Sequence, residues 1–325
     1  MLKDILSLTE SINQEIAKIN FGENPGELYE PIRYIMDLGG KRMRPLLVTL
    51  SYQLFHDDLG PVIQPAIAVE VFHNFTLMHD DIMDHAPLRR GKATVHTRWN
   101  NNIAILSGDV MLVKVYEMFM EVQDSQFKDV IRKFNRCAAE VCEGQQLDMN
   151  YERRLSVTVP EYLEMIRLKT AALLGFSTEL GALLACASPQ DQQLLKTFGT
   201  SVGIGFQLKD DLLDVYADQS KFGKQVGGDI IANKKTFLLI KALENATGEI
   251  RKALWAWMEK EEFDKEEKVL AVKGIYDQLG IKKLAEDKMN EYFQTGFEAL
   301  KKINVDHTRK EKLLSFTEYL VNREK

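Results

Sequence analysis

Two short acidic patterns, about 130 residues apart in a chain of 325, constrain the fold of this protein more than any other feature. "MHDDIMD" places aspartates at positions 80, 81 and 84, and "LKDDLLD" repeats them at 210, 211 and 214. On an α-helix, the three side chains of each set lie on one face, within an arc of about 100°. A lone pattern of this kind is also typical of a solvated acidic turn. Both copies lie among apolar residues, however, which a solvated turn does not require.

Crowded carboxylates of this kind predict a bound cation. Like charges at helical spacing repel one another, and Asp has a poor helix propensity, so each motif needs an opposite charge. Mg²⁺ prefers oxygen ligands and is commonly held by one or two carboxylates together with substrate phosphates. Two helices that brought both motifs to one cavity would bind several Mg²⁺ ions and a ligand such as a diphosphate. Asp57 and Asp58 lack a third carboxylate and precede Gly60, so we interpret them as a loop.

Composition excludes several other classes of protein. The net charge is −6 and no basic tail is present, which argues against nucleic acid as a partner. Three cysteines without CxxC spacing argue against zinc and predict a reducing, cytoplasmic location. Asp4 and Glu10 interrupt the N-terminal apolar residues, so we predict no secretory signal. The apolar stretch 171–187 is too short and too polar to span a membrane, and we predict no membrane span.

Helical periodicity runs through almost the whole chain, beginning with an amphipathic N-terminal helix. We predict helices at 5–19, 27–38, 45–55, 62–84, 103–122, 126–149, 160–186, 190–216, 233–244 and in several pieces after 249. Breaks fall at Pro25, Gly39–Gly40, Gly60–Pro61, "APLRRGKA", Pro160, Pro189 and "FGKQVGGD". No linker divides the chain. The prediction is therefore an all-α fold, a single domain over residues 1–325 forming a helical bundle around a central cavity.

Basic residues cluster near the two breaks that flank the helix of the first motif. They are Lys41, Arg42 and Arg44 in "GGKRMRP" and Arg89, Arg90 and Lys92 in "PLRRGKATVH". Arginine offers paired donors to phosphate oxygens, whereas lysine offers a point charge. No GxxxxGK[ST] occurs, which disfavours a nucleotide triphosphatase.

With these motifs, the sequence resembles the trans-isoprenyl diphosphate synthases, or polyprenyl synthetases. The matching segments, in the family's order over residues 39–236, are "GGKRMRP", "HNFTLMHDDIMD", "LRRGKATVH", "GQQLD", "RLKTAALL", "GFQLKDDLLD", "GKQVGGDI" and "NKKT". The resemblance implies an all-α enzyme, a homodimer, that uses Mg²⁺ to condense isopentenyl diphosphate with an allylic diphosphate.

The resemblance also implies the role of each matching residue. The metal ligands are Asp80, Asp81, Asp84, Asp210, Asp211 and Asp214, which would hold three Mg²⁺ ions on the allylic diphosphate. Further contacts to that diphosphate come from Arg89, Lys169, Lys224 and Lys234. The metal-independent pocket for isopentenyl diphosphate consists of Lys41, Arg44, His73 and Arg90. Thr170 and Gln207 match polar residues near the reacting carbons. A histidine such as His73 on an apolar helix is otherwise most often a satisfied core residue.

Product length is predicted from the helix that carries the first motif. Phe75 and Phe72 precede Asp80 by five and eight residues, which places them about 7.5 and 12 Å along the helix from the metal ligands. Both are also typical core aromatics. Phe75 followed by Thr76 resembles short-chain family members, and favours a geranylgeranyl product made from a dimethylallyl, geranyl or farnesyl primer. Farnesyl diphosphate is the alternative product.

Three other classes of protein are weighed against this prediction. A terpene cyclase would carry an Asn/Ser/Glu-type second motif, a non-catalytic partner subunit would lack aspartates or basic residues, and a structural helical protein would not bind diphosphate.

Two departures from the family pattern concern the region of Lys224 and Lys234. Phe237 and Leu238 stand where proline is often found two residues after the Thr of "NKKT", and Gln225 stands where an acidic residue is common.

Overall fold

The computed structural model describes residues 2–217 and 227–322, and this part of the chain is helical almost throughout. The helices are α1 Leu2–Ala17, α2 Gly26–Asp37, α3 Met43–Tyr52, α4 Gly60–Met83, α5 Val95–Arg98, α6 Asn101–Phe119, α7 Asp124–Glu152, α8 Val159–Ile166, α9 Ala172–Leu184, α10 Pro189–Tyr216, α11 Gly228–Ile231, α12 Phe237–Asn245, α13 Gly248–Glu259, α14 Lys265–Gln278, α15 Ile281–Lys301 and α16 His307–Asn322. A π-helical turn, Arg167–Ala171, joins α8 to α9, and β1 Leu88–Arg89 pairs antiparallel with β2 Lys92–Ala93. The predicted all-α class is confirmed.

Helix starts follow the punctuation of the sequence. Pro25 is the N-cap residue of α2, and α4 begins with Gly60–Pro61. The α8 helix begins with a capping box, in which Thr158 and Glu161 exchange hydrogen bonds with each other's backbone N–H groups. Pro189 opens α10. Proline is tolerated at these positions because the first N–H groups of a helix have no intrahelical acceptor.

Three local features differ from the predicted pattern. The helix predicted at 233–244 begins at Phe237, because Asn233 takes a left-handed conformation, with φ of 51°, just after α11 ends. The predicted break at "APLRRGKA" contains the hairpin β1–β2, whose turn residues Arg90 and Gly91 have φ of 53° and 76°. The continuous helix predicted at 160–186 is interrupted by the π-helical turn.

The chain divides into two compact units. Unit 1 comprises Met1–Cys137, Phe176–Lys196 and Ile303–Phe316, and unit 2 comprises Ala138–Gly175, Thr197–Lys302 and Thr317–Lys325. In unit 1, α4 packs against α3 and α6 and is buried along most of its length. The amphipathic pattern of α1 is confirmed, since Ile5, Ile12 and Ile16 are buried. The end of α4 is thereby held on a rigid scaffold.

In unit 2, glycines allow two helices to approach the π-helical turn closely. A Cβ on Gly144 of α7 would collide with the backbone N of Lys169, and one on Gly203 of α10 would lie 2.7 Å from Cα of Ala171. Single π-helical turns are frequent at functional sites. This turn carries Lys169 and Thr170, which the sequence predicts to be functional.

No helix in residues 2–217 and 227–322 is both long enough and apolar enough to cross a membrane.

Candidate active site

The first aspartate motif lies at the C-terminal end of α4. Asp80 and Asp81 occupy its last turn, and Asp84 is the C-cap residue. The three carboxylates differ in exposure, since Asp81 is 2% exposed, Asp80 is half-buried and Asp84 is exposed. A helix C-terminus carries partial negative charge and disfavours carboxylates. This motif therefore depends on cations supplied from outside the helix.

Arg89 on strand β1 supplies one such cation. Its Nε lies 2.9 Å from both carboxylate oxygens of Asp81, and its Nη2 lies 2.6 Å from Oδ1. The same Nη2 is 3.9 Å from Asp80. Burial lowers the pKa of Arg89, but the hydrogen bonds to Asp81 and the charges of Asp81, Asp80 and Asp84 raise it overall. The residue predicted to contact diphosphate is thus firmly cationic beside the first motif.

The residues predicted to bind isopentenyl diphosphate without metal also lie in unit 1. Arg44 is half-buried, and its buried Nε has no hydrogen-bond acceptor in the described part of the chain. Burial lowers the pKa of Arg44 to about 10, while Glu70 opposes this effect. Burial, followed by the charges of Arg44 and Arg90, keeps the pKa of His73 well below its usual value. Arg44, His73 and Arg90 are therefore within electrostatic reach of one another, and an anion would relieve the repulsion between the arginines. Lys41 is exposed.

The second aspartate motif lies in the last turns of α10, in unit 2. Asp211 is 4% exposed and accepts hydrogen bonds from the Tyr162 hydroxyl and from Nε2 of Gln207, the latter at 3.0 Å. Burial and the charge of Asp229 raise the pKa of Asp211 to about 8. Oδ2 of Asp214 accepts a hydrogen bond of 2.9 Å from the backbone N–H of Asp229. Asp210 is half-buried.

Asp229 is a member of this cluster that the sequence analysis did not assign. Burial and the charges of Asp214, Asp148 and Asp210 raise its pKa to about 6, although Lys234 opposes the shift. The sequence feature that could have identified Asp229 is its position directly after the glycine pair in "QVGGDI", at the start of α11.

Asp148, the last residue of "GQQLD", is a second unassigned member. Its Oδ2 lies 2.6 Å from Nζ of Lys169 and 3.8 Å from Nζ of Lys234. Burial raises the pKa of Asp148, but Lys234 and Lys169 lower it overall. Two lysines predicted to contact diphosphate thus lie at the same carboxylate, that of Asp148. Lys224, also predicted there, lies outside the described residues, as does Gln225.

Thr170 and Gln207, predicted to lie near the reacting carbons, are joined to each other and to Asp211. The Thr170 hydroxyl donates to Oε1 of Gln207 at 3.2 Å, while Nε2 of Gln207 donates to Asp211. The Tyr162 hydroxyl, on the other side of Asp211, completes a chain of four polar side chains. This chain fixes the orientation of the Gln207 amide, because each end of the amide has a defined partner.

The residues predicted to limit product length occupy different environments. Phe72 is 1% exposed and its ring packs edge-on against Phe134, with ring centroids 5.0 Å apart. Phe75 is half-buried, and its ring contacts those of Phe72 and His79 at 5.7 and 4.8 Å. Thr76 donates to the backbone oxygen of His73. Phe72 is therefore a core aromatic, whereas Phe75 has surface available to a ligand.

The carboxylates of both motifs fit a hard divalent cation in their chemistry. Within residues 2–217 and 227–322, no three His, Cys, Asp or Glu side chains already stand in a metal-binding arrangement. Asp211 and Asp229 nevertheless have raised pKa values because buried carboxylates lie together, and a bound cation would offset that repulsion. Cys137, Cys142 and Cys186 are all free, as expected from their spacing.

Comparison with known proteins identifies enzymes to which this chain is similar. The geranylgeranyl diphosphate synthase of Methanosarcina mazei is 35% identical over 329 aligned positions, which cover 100% of this chain and 98% of that protein. The crystal structure of a geranylgeranyl pyrophosphate synthase, 40% identical, matches with a TM-score of 0.93 and covers 100% of this chain and 99% of that one. The geranylgeranyl pyrophosphate synthase of Corynebacterium glutamicum, solved with calcium and isoprenyl diphosphate, is 28% identical and matches with a TM-score of 0.81, covering 99% and 95% of the two chains.

The family model for polyprenyl synthetases matches residues 25–276. Because this match spans well over half of its length, the chain belongs to the polyprenyl synthetase family.

Proposed function

We propose that this protein is a geranylgeranyl diphosphate synthase. It condenses isopentenyl diphosphate with dimethylallyl, geranyl or farnesyl diphosphate and releases diphosphate. One observation carries this proposal: within each unit, an aspartate motif with one buried carboxylate is accompanied by cations suited to a diphosphate. In unit 1 the cation is Arg89 at Asp81, and in unit 2 Lys169 and Lys234 are gathered by Asp148. The homologues named geranylgeranyl diphosphate synthase support the choice of product.

Mg²⁺ is the proposed cofactor, with the aspartates of both motifs as its ligands and three ions with the allylic diphosphate bound. The relative solved with calcium and isoprenyl diphosphate supports a divalent metal as the cofactor. When bound, the ions stabilise the negative charge that develops on the leaving diphosphate. The chain adds Arg89, Lys169 and Lys234 to that stabilisation, and we propose the same role for Lys224.

Isopentenyl diphosphate is proposed to bind to Lys41, Arg44, His73 and Arg90 without metal. The buried Nε of Arg44, which lacks an acceptor in the described part of the chain, provides a donor for a phosphate oxygen. His73, kept neutral by its burial and then by the charges of Arg44 and Arg90, can donate a hydrogen bond without adding charge.

The proposed reaction requires no protein nucleophile. The allylic C–O bond breaks and its electron pair leaves with the diphosphate. The double bond of isopentenyl diphosphate attacks the allylic cation to form a carbon–carbon bond, which leaves a cation on the former isopentenyl unit. The carbon next to this cation loses a proton to the departed diphosphate, and the C–H electron pair forms the new double bond. The side chains hold both substrates in register and keep water away from the cation. Thr170 and Gln207, fixed by their mutual hydrogen bond, would direct polar atoms at the reacting carbons.

Sizing the products of labelled isopentenyl diphosphate with each primer tests this function. A twenty-carbon product from all three primers is expected. Products that stop at fifteen carbons would make the enzyme a farnesyl diphosphate synthase. Diphosphate binding without any condensation would instead favour a non-catalytic subunit.

We propose that Phe75, with Phe72 behind it and Thr76 beside it, ends the space available to the growing chain. Replacing Phe75 with alanine should lengthen the product, because its half-buried ring occupies the position five residues before Asp80. The same chromatographic sizing measures this effect. Phe119→Ala, which removes a fully buried ring from the same unit, is the matched control and should leave product length unchanged. An unchanged product in Phe75→Ala would place the limit elsewhere.

A homodimer is also proposed. Exposed apolar side chains recur at seven-residue spacing along α6 and its C-cap residue, where Leu106, Val113 and Met120 are 57%, 56% and 68% exposed. A stripe of this kind fits the same stripe of a second copy. Sedimentation of the protein and of Val113→Glu tests this, with a dimer expected for the first and a monomer for the second. The cytoplasmic location stays a prediction.

A further inference from the structure

Arg42 is buried at the centre of a network that holds the loop between α2 and α3. Its side chain is 4% exposed, and each of its nitrogens donates a hydrogen bond. Nη1 donates to Oε1 of Glu70 at 2.8 Å, Nε to Oδ1 of Asn13 at 2.9 Å, and Nη2 to the backbone oxygen of Met36 at 3.0 Å. Arg42 therefore joins the loop to α1, α2 and α4, and its burial keeps its remaining N–H groups away from a substrate.

Glu70 lies on α4, and its side chain is 3% exposed. Oε1 of Glu70 also lies 3.4 Å from Nδ2 of Asn74. A buried ion pair contributes little net stability, because desolvation of the two charges offsets their attraction. The function of this pair is therefore better sought in the geometry that it imposes.

The loop held by Arg42 has a backbone conformation that L-residues disfavour. Gly39, Gly40 and Arg42 have φ of 76°, 142° and 46°. For a residue with a Cβ, this left-handed conformation costs about 1–2 kcal/mol. Surrounding contacts must therefore maintain it.

Arg90 contacts the same loop from the hairpin β1–β2. Its Nη1 donates to the backbone oxygen of Gly39, and a Cβ on Gly40 would lie 2.9 Å from its Nη2. Arg42 and Glu70 thus hold the loop from the interior, while Arg90 contacts it at Gly39 and Gly40. The loop contains Lys41, and Arg44 follows in the first turn of α3.

We propose that Arg42 and Glu70 are positioning residues for isopentenyl diphosphate. The pair fixes the left-handed loop so that Lys41 and Arg44 present their charges to that substrate, while neither Arg42 nor Glu70 contacts it. This inference rests on the proposed function. It assigns the pair an effect on isopentenyl diphosphate alone, because Arg42 follows Lys41 directly and lies two residues before Arg44, both of which belong to the predicted metal-independent pocket.

Two conservative variants, Arg42→Lys and Glu70→Gln, test the inference. Each is expected to weaken binding of isopentenyl diphosphate about tenfold or more, measured by calorimetry in the presence of a chelator. KM for isopentenyl diphosphate should rise in parallel, while KM for the allylic primer stays within about twofold. Glu179→Gln is the matched control in the same unit, because Glu179 is a buried glutamate paired with Lys133 and Lys196. It should change neither KM.

The double variant Arg42→Met with Glu70→Met removes both charges without leaving either one unpaired, so it is expected to fold. Its binding of isopentenyl diphosphate should also be about tenfold or more weaker than that of the unaltered protein. Normal binding by a folded variant, or equal increases in both KM values, would overturn the inference. If the unaltered protein neither binds nor condenses isopentenyl diphosphate, the proposed function fails instead.

Discussion

The two aspartate motifs share one pattern but have different electrostatic surroundings. In unit 1, Asp81 is 2% exposed and is paired with the Arg89 guanidinium. In unit 2, Asp211 is 4% exposed and receives hydrogen bonds from the neutral groups of Tyr162 and Gln207. Burial and the nearby Asp229 then raise the pKa of Asp211 to about 8. The pattern specifies where carboxylates stand, while the tertiary neighbours decide how their charge is compensated.

The difference follows from where each unit places its cations. The hairpin β1–β2 carries Arg89 back to the end of α4, so an arginine neutralises the first motif directly. In unit 2, Lys169 and Lys234 both lie at Asp148 instead. Asp211 therefore keeps a raised pKa, which a bound divalent cation would lower.

The largest expected effect tests whether both motifs serve the reaction despite this difference. Asp80→Ala and Asp210→Ala should each lower turnover by about a hundredfold or more, because each removes a proposed ligand of the diphosphate-bound ions. Steady-state rates with farnesyl diphosphate measure the loss, and circular dichroism checks that both variants remain folded. Near-normal condensation by either variant would refute the assignment of its motif.

Replacing the buried aspartate of each motif should change the free energy of unfolding in opposite directions, whereas replacing an aspartate of either motif lowers turnover. Without metal at pH 8, Asp81→Asn should lower the free energy of unfolding by about 2–4 kcal/mol, because it removes the buried carboxylate to which Arg89 donates and leaves only the more distant charges of Asp80 and Asp84. Asp211→Asn should raise it by about 1 kcal/mol or more, because a neutral amide avoids the cost of ionising a buried acid. Chemical denaturation measures both changes. Equal losses in the two variants would contradict the contrast between the motifs.

The same contrast predicts a pH dependence. The folded-state pKa values of Asp211 and Asp229, about 8 and about 6, lie above their ordinary value of 3.8. The folded protein therefore binds more protons than the unfolded chain in this range, and these groups make stability fall as pH rises from about 4 to about 8. The gain from Asp211→Asn should grow between pH 5 and pH 8. Asp57→Asn, at an exposed loop carboxylate, is the control and should show no such growth.

The sequence was sufficient to predict the helices that carry the motifs. Apolar spacing predicted α4 and α10, and glycine or proline marked their starts, because these signals are local. The pairing of Arg89 with Asp81 was not predictable, because it depends on a two-residue hairpin within an apparent loop. Asp148 and Asp229 were missed for a similar reason, since a single acidic residue acquires a role only from tertiary neighbours. The π-helical turn also escaped prediction, because one widened turn does not disturb helical periodicity enough to be seen.

Replacement of Tyr162 with phenylalanine should produce the smallest effect and concerns unit 2 alone. The buried Tyr162 hydroxyl donates to Asp211, and its removal costs about 0.5–1.5 kcal/mol of stability without changing the shape of the site. Because that hydrogen bond lowers the pKa of Asp211, its loss should raise this pKa further, so more alkaline pH is needed to ionise the carboxylate. Because Asp211 must be ionised before it can bind Mg²⁺, we expect turnover to rise with pH at limiting Mg²⁺. This rise should shift to higher pH in the variant, while KM for isopentenyl diphosphate stays constant. A pH profile identical to that of the unaltered enzyme would mean that Asp211 does not limit the reaction, and that burial of the second motif serves only the fold.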